Sequence, residues 1–115
     1  MQPIVNWSFY KNATAASTED NMTPFINMTG DVMSVEVRGA ATFTLKLQGR
    51  TDLLNGGVWE DLAAIKLSDF SVSTEIKQTG IYEIGIEGLQ EIRANITSIS
   101  GGDLTVLGRA VNTGK

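Results

Sequence analysis

The chain has 115 residues, enough for one compact domain with a real core, and it contains neither cysteine nor histidine. That composition excludes a disulfide scaffold and a thiolate zinc site, and it removes the commonest general base and metal ligand. Nine Lys and Arg against thirteen Asp and Glu leave a net charge of −4, which argues against a nucleic-acid partner, because such binding rests on many phosphate contacts.

Met1 to Tyr10 lacks a basic stretch followed by an apolar one, so it does not read as a signal peptide. No window approaches the ~18 consecutive apolar residues of a membrane span, and the expectation is a soluble protein with no membrane partner. Ile4 to Tyr10 reads as a first strand, with Val5, Trp7 and Phe9 on one face. Lys11 to Pro24 is polar and small with no usable period. It is either a long loop or the second half of an N-terminal arm, in which Ile4 to Tyr10 would pair with a neighbouring subunit. Residues 1–30 are therefore expected to form a strand and a polar arm or loop, and residues 31–115 the domain proper.

From residue 31 onward, alternation dominates. Met33, Val35 and Val37 alternate with Ser34, Glu36 and Arg38, and Ala41, Phe43, Leu45 and Leu47 with Thr42, Thr44, Lys46 and Gln48. Trp59 to Leu67 and Phe70 to Ile76 are less regular strands, and Glu60 to Leu67 has too few apolar positions to define a helix. Tyr82, Ile84 and Ile86 alternate with Glu83, Gly85 and Glu87, then Ile92, Ala94 and Ile96 with Arg93, Asn95 and Thr97, and Leu104 and Val106 with Thr105. The punctuation agrees: Asn55-Gly56-Gly57 and Ser100-Gly101-Gly102-Asp103 are hairpin-type turns, and Thr29-Gly30, Arg38-Gly39 and Thr79-Gly80 separate other runs. The expected fold is all-β, an antiparallel β-sandwich of jelly-roll type. Ser34 to Gly39 and Glu83 to Gly88 share a polar-β-x-β-x-Gly pattern too degenerate to establish a repeat.

Residue patterns that carry chemistry are few. Glu83 and Glu87 on one strand would stand roughly 13 Å apart at about 3.3 Å per residue, too far for a glycosidase pair. Asp31, Asp52, Asn55 and Asp103 fall in turns without the Asp-x-Asp-x-Asp-Gly run of a calcium loop, so neither a metal nor a cofactor is expected. There is no Gly-x-Ser-x-Gly elbow and no phosphate-binding loop, and an enzyme is not expected. Trp7, Tyr10, Trp59 and Tyr82 are candidate sugar platforms, but in a small sandwich such rings more often serve the core or a subunit interface. Asn-x-Ser/Thr sequons such as those at Asn12, Asn21, Asn27 and Asn95 read as chance in a Thr- and Asn-rich β protein.

Three stretches carry a resemblance. They are Val35-Glu-Val-Arg-Gly-Ala-Ala-Thr-Phe-Thr-Leu-Lys-Leu-Gln-Gly-Arg-Thr-Asp52, Gly56-Gly-Val-Trp-Glu-Asp-Leu62, and the run from Gly80-Ile-Tyr82 through Ile92-Arg-Ala-Asn-Ile-Thr97 to Gly101-Gly-Asp-Leu-Thr-Val106. Together, over about Val35 to Ala110, they resemble small β-sandwich structural proteins of tailed bacteriophage virions. Arg50-Thr51-Asp52-Leu53-Leu54 departs from that pattern, where Gly-Ser-x-Asp-Gly is more usual. The resemblance implies a non-enzymatic virion protein, foremost a capsid decoration (cement) protein on the outside of the shell, soluble in the host cytoplasm before assembly. Its implied partners are itself, as a homotrimer, and the major capsid protein. Tyr82, Arg93 and Trp59 match recurring positions and would be structural. The expected interface residues are Ile4, Val5, Trp7, Phe9, Tyr10 and Trp59. The alternative is a carbohydrate- or receptor-binding module of a tail or fibre, with Trp59 as the stacking ring.

Overall fold

The computed structural model describes residues 4–20, 31–51, 58–89 and 91–111. Ten strands lie among them: β1 (Ile4–Ala13), β2 (Ser17–Asp20), β3 (Val32–Gly39), β4 (Thr42–Arg50), β5 (Glu60–Asp61), β6 (Ala64–Lys66), β7 (Val72–Ser73), β8 (Gly80–Gly85), β9 (Glu91–Ser100) and β10 (Leu104–Val111). They form a six-stranded sheet in the order β1-β10-β3-β8-β6-β7 and a four-stranded sheet in the order β2-β9-β4-β5, with every named pair antiparallel. The fold is the expected all-β sandwich.

The alternating residues meet where their period directs them. Met33, Val35 and Val37 of β3, Tyr82 and Ile84 of β8, and Leu104, Val106 and Ala110 of β10 line the inner face of the six-stranded sheet. Phe43, Leu45 and Leu47 of β4 and Ile92, Ala94 and Ile96 of β9 line the other, and the two sets form one buried cluster. Each of these side chains leaves water almost completely, contributing about 1.5–3 kcal/mol where it is large.

Two irregularities set the details. On β1 the register shifts between Ser8, opposite Leu107, and Tyr10, opposite Val106. This bulge turns both Phe9 and Tyr10 into the core, where strict alternation allows only one. On β9 a second shift falls at Thr97, because Thr44 faces Ser98 while Leu45 faces Ile96. The β9–β10 hairpin turns at Gly101, whose φ of +76° suits glycine.

The segment from Lys11 to Asp20 is strand where the sequence offered loop or arm. β1 runs on to Ala13, and β2 then pairs with β9, so the chain crosses from one sheet to the other within three residues. Residues 21–30 lie outside the described residues, as do the Asn55-Gly56-Gly57 turn, Asp52 and the sequons at Asn21 and Asn27. Between Trp59 and Ile76 the two expected strands are shorter than their sequence runs, reduced to β5, β6 and β7. Ile76 makes only an isolated bridge with Leu45. Glu60 to Leu67 is extended, not helical. Glu87 lies in the turn after β8, so it does not share a strand with Glu83.

Candidate functional site

Because the inner faces are consumed by the core, whatever the protein does falls to the outer faces, the edges and the loops. The two outer faces differ in kind.

The outer face of the four-stranded sheet satisfies itself. Gln48 on β4 donates through its amide nitrogen to Asp61 at 2.8 Å and accepts from the Arg93 guanidinium at 2.8 Å. Lys46 pairs with the same Asp61 at 3.2 Å. Arg50 forms an ion pair with Glu91, directly across the β4–β9 ladder. Over this network lies Trp59, with the Arg50 and Arg93 guanidinium carbons 4.5 and 4.3 Å from its ring centroid, a stacked cation–π arrangement. The amide of Gln48 holds the Asp61 carboxyl below its ordinary value against the opposing effect of desolvation, with Lys46 adding to the lowering. Trp59 is half-buried in this stack.

The outer face of the six-stranded sheet is less complete. Two cross-strand rows run over it. One carries Ser8, Leu107, Glu36 and Ile81 in β1-β10-β3-β8 order, continued by Leu67, whose N–H donates to the Ile81 carbonyl. The other carries Asn6, Arg109, Ser34, Glu83, Ile65 and Val72. Ile81 is 50% exposed and Val72 62%. Phe70, in the β6–β7 turn with a left-handed φ of +59°, is 75% exposed. Asp69 holds that turn by accepting from the Ser71 N–H at 2.9 Å and its hydroxyl at 2.7 Å. These bonds keep the Asp69 carboxyl below its ordinary value. A groove of about 650 Å³ runs across the face over Ser34, Glu36, Ile81, Leu107 and Arg109.

The expected interface residues separate in the structure. Phe9 and Tyr10 are buried in this chain's own core, and Trp7 packs against that core opposite Gly108. A Cβ at Gly108 would stand 2.9 Å from the Phe9 ring, so the missing side chain makes room for Phe9. Ile4 and Val5 belong to β1, paired with Val111 and Ala110 of the same chain. Trp59 lies on the opposite sheet from all of them. Tyr82 is a core residue whose hydroxyl donates to the Gln78 carbonyl at 2.8 Å, and burial raises its pKa, with the charge of Asp69 adding to the shift. Sequence reading missed Phe70, Val72, Ile81 and Arg109. The signal available was the run Phe70-Ser71-Val72 beside Leu67, apolar residues in a segment too short and polar to be a core strand. No group of three or more potential metal-binding side chains occurs among the described residues.

The sequence profile of the XepA family matches residues 4–110. The chain belongs to the XepA family. Its fold is shared with the crystal structure of the SPBc2 prophage-derived protein YomS, at a TM-score of 0.82 and 22% identity, over 97% of this chain and 96% of YomS. The PBSX exported protein XepA is similar at a TM-score of 0.82 and 25% identity, over 96% of this chain. The chain spans 38% of the length of that XepA chain, so it corresponds to one part of the larger protein. No curated protein matches it by sequence.

Proposed function

We propose that this chain is a non-enzymatic, phage-associated structural protein that works by surface contact, in the virion or outside the cytoplasm. The observation that carries the reading is the XepA-family match over residues 4–110. One protein of the same fold is prophage-derived, and the similar XepA is exported. The physical reading supports it. The sandwich interior is filled by side chains, and the polar groups of one face are spent on one another. What remains for function is an exposed apolar end at β6–β7.

The specific form we favour is capsid decoration, in which bound copies stabilise the assembled shell by mass action. The glycan-binding alternative rests on Trp59, and that ring is already stacked on two guanidinium groups. The test is to purify particles from an induced host and quantify the protein in heads, tails and the particle-free supernatant. Recovery with heads, reduced at least tenfold by the double substitution Phe70→Ser/Val72→Ser in a protein of unchanged thermal stability, is the expected result. Recovery in the supernatant alone would overturn the capsid form.

A further inference from the structure

After β7, at the edge of the six-stranded sheet, the chain crosses to the other sheet and leaves a cleft behind it. Ile76 anchors the crossing by exchanging backbone hydrogen bonds with Leu45 of β4 at 2.9 and 2.8 Å. Between this strap and the β6–β7 hairpin lies a cavity of about 180 Å³, separate from the groove on the outer face. Lys66 reaches across it from hairpin to strap, where its ammonium donates to the Gln78 Oε1 at 2.6 Å. Gly80, at φ +148°, leaves room for the Lys66 stem, since a Cβ there would stand 3.3 Å from the Lys66 Cε. Lys77 brings a second ammonium to the lining, 3.8 Å from the exposed Glu75 carboxylate. Three hydroxyls line the same cavity with their protons already committed. Ser71 donates to Asp69 at 2.7 Å, Ser73 to the Glu75 carbonyl at 2.7 Å and Tyr82 to the Gln78 carbonyl at 2.8 Å. A hydroxyl whose proton is spent offers a ligand its lone pairs alone.

We propose that this cleft binds a single sugar unit carrying a carboxylate or a phosphate. The polar inventory of its walls sets that chemistry. The remaining ammonium protons of Lys66 and Lys77, with the Gln78 amide, call for acceptors and favour a negative charge. The three committed hydroxyls call for donors, which the hydroxyls of a sugar supply and sulfate lacks. A bare anion therefore answers one half of the lining, and a neutral sugar leaves the ammonium groups without a counter-charge. The lining carries two ammonium groups against the one carboxylate of Glu75, in a chain of net charge −4. Asp69 stands beside it with its carboxylate engaged by the Ser71 N–H and hydroxyl. The cavity is smaller than the roughly 300–1,000 Å³ of pockets for drug-sized ligands, which limits the occupant to one ring. Because β7 is an edge strand, the cleft opens at the side of the sandwich and admits a unit within a longer chain. Trp59 takes no part in this site, and the inference does not depend on the capsid reading.

The test is titration of the isotope-labelled full chain, followed by amide NMR, with glucuronate, glucose 6-phosphate, glucose and sodium sulfate in turn. Glucuronate or glucose 6-phosphate is expected to shift the Ser71, Ser73 and Gln78 amides with a Kd of about 1 mM. The tighter of the two tells whether the charged group is a carboxylate or a phosphate. Glucose and sulfate should each bind at least about tenfold more weakly, the loss of one charge-assisted or hydroxyl contact set. Lys66→Met and Lys77→Met should each weaken the anionic sugar at least about tenfold, with thermal unfolding as the check on folding. Lys77 is exposed, so its variant keeps the test valid even where loss of the Lys66–Gln78 bond loosens the strap. Lys11→Met, on β1, should leave binding unchanged. No shift at these amides up to about 20 mM of either anionic sugar, sulfate binding as tightly as the sugars, or an affinity indifferent to both lysines would each overturn the proposal.

Discussion

Tyr10→Phe removes a single oxygen from the junction that ties the N-terminal strands to the sandwich. The Tyr10 ring leaves β1 of one sheet, and its hydroxyl reaches the other. There it meets the Ser17 carbonyl of β2 and, at 3.0 Å, the Ala94 carbonyl of β9, and it accepts the Ile96 N–H at 3.4 Å. The single hydroxyl proton serves one carbonyl at a time, while the lone pairs serve Ile96. Phenylalanine leaves the ring packing intact and creates almost no cavity, so the effect isolates the polar contacts. A buried donor or acceptor left without its partner costs about 1–3 kcal/mol, and the expected loss is about 2 kcal/mol. With a urea slope of about 1–3 kcal/mol/M, the midpoint should fall by about 1 M. The slope itself should not change, and exchange of the Ile96 amide should quicken. Tyr82→Phe is the matched control. Its hydroxyl makes one partly exposed bond to Gln78, four residues away, and should cost no more than about 1 kcal/mol. A Tyr10→Phe variant within about 0.5 kcal/mol of wild type, or one less damaging than Tyr82→Phe, would refute the assignment of Tyr10 as the cross-sheet tie.

Three further outcomes follow from the same geometry. Gly39→Ala should destabilise by at least about 3 kcal/mol by urea unfolding, because φ is +138° and the new Cβ would sit 2.2 Å from the Asp103 carbonyl oxygen. Arg50→Ala should cost about 1–3 kcal/mol, since it removes the ion-pair partner across the ladder from a Glu91 carboxylate only 10% exposed, and Arg50→Ala/Glu91→Ala should recover part of that loss in a double-mutant cycle. Asp61→Asn should lower stability slightly at neutral pH. The folded-state pKa of Asp61 is depressed, so its contribution is present above the unfolded value of about 4 and disappears as pH falls through the folded value. The gap between variant and wild type, measured by urea midpoints across pH, should therefore close below about pH 4. It stays small throughout because that side chain is 37% exposed.

Much of the sandwich was legible because a strand buried on one face writes its burial into every second residue. Met33-Val35-Val37 and Ile92-Ala94-Ile96 point inward as their spacing requires. The segment from Lys11 to Asp20 was not legible. Its strands lie at the edges, and the residues β1 places on β10 past the bulge are polar ones such as Asn12, whose N–H donates to the Thr105 hydroxyl at 3.1 Å. An edge strand of this kind needs backbone partners more than apolar side chains. Phe9 and Tyr10 misled for a related reason. A bulge reverses the alternation locally, and no residue type announces it. The candidate site was largely illegible, because its apolar members come from β6, β7, β8 and β10 and become neighbours only once the sheet is ordered.

Composition and period alone determined that this protein is an all-β domain without cysteine or histidine, since neither property depends on which strand meets which. Tertiary structure decided the rest. Strand order brings Arg109, Ser34 and Glu83 into one row from positions far apart in the chain. It also stacks Trp59 on Arg50 and Arg93, residues brought to it from β4 and β9. Antiparallel pairing is specified by register and turn geometry across long sequence separations, so a face is a property of the assembled sheet and not of any strand within it.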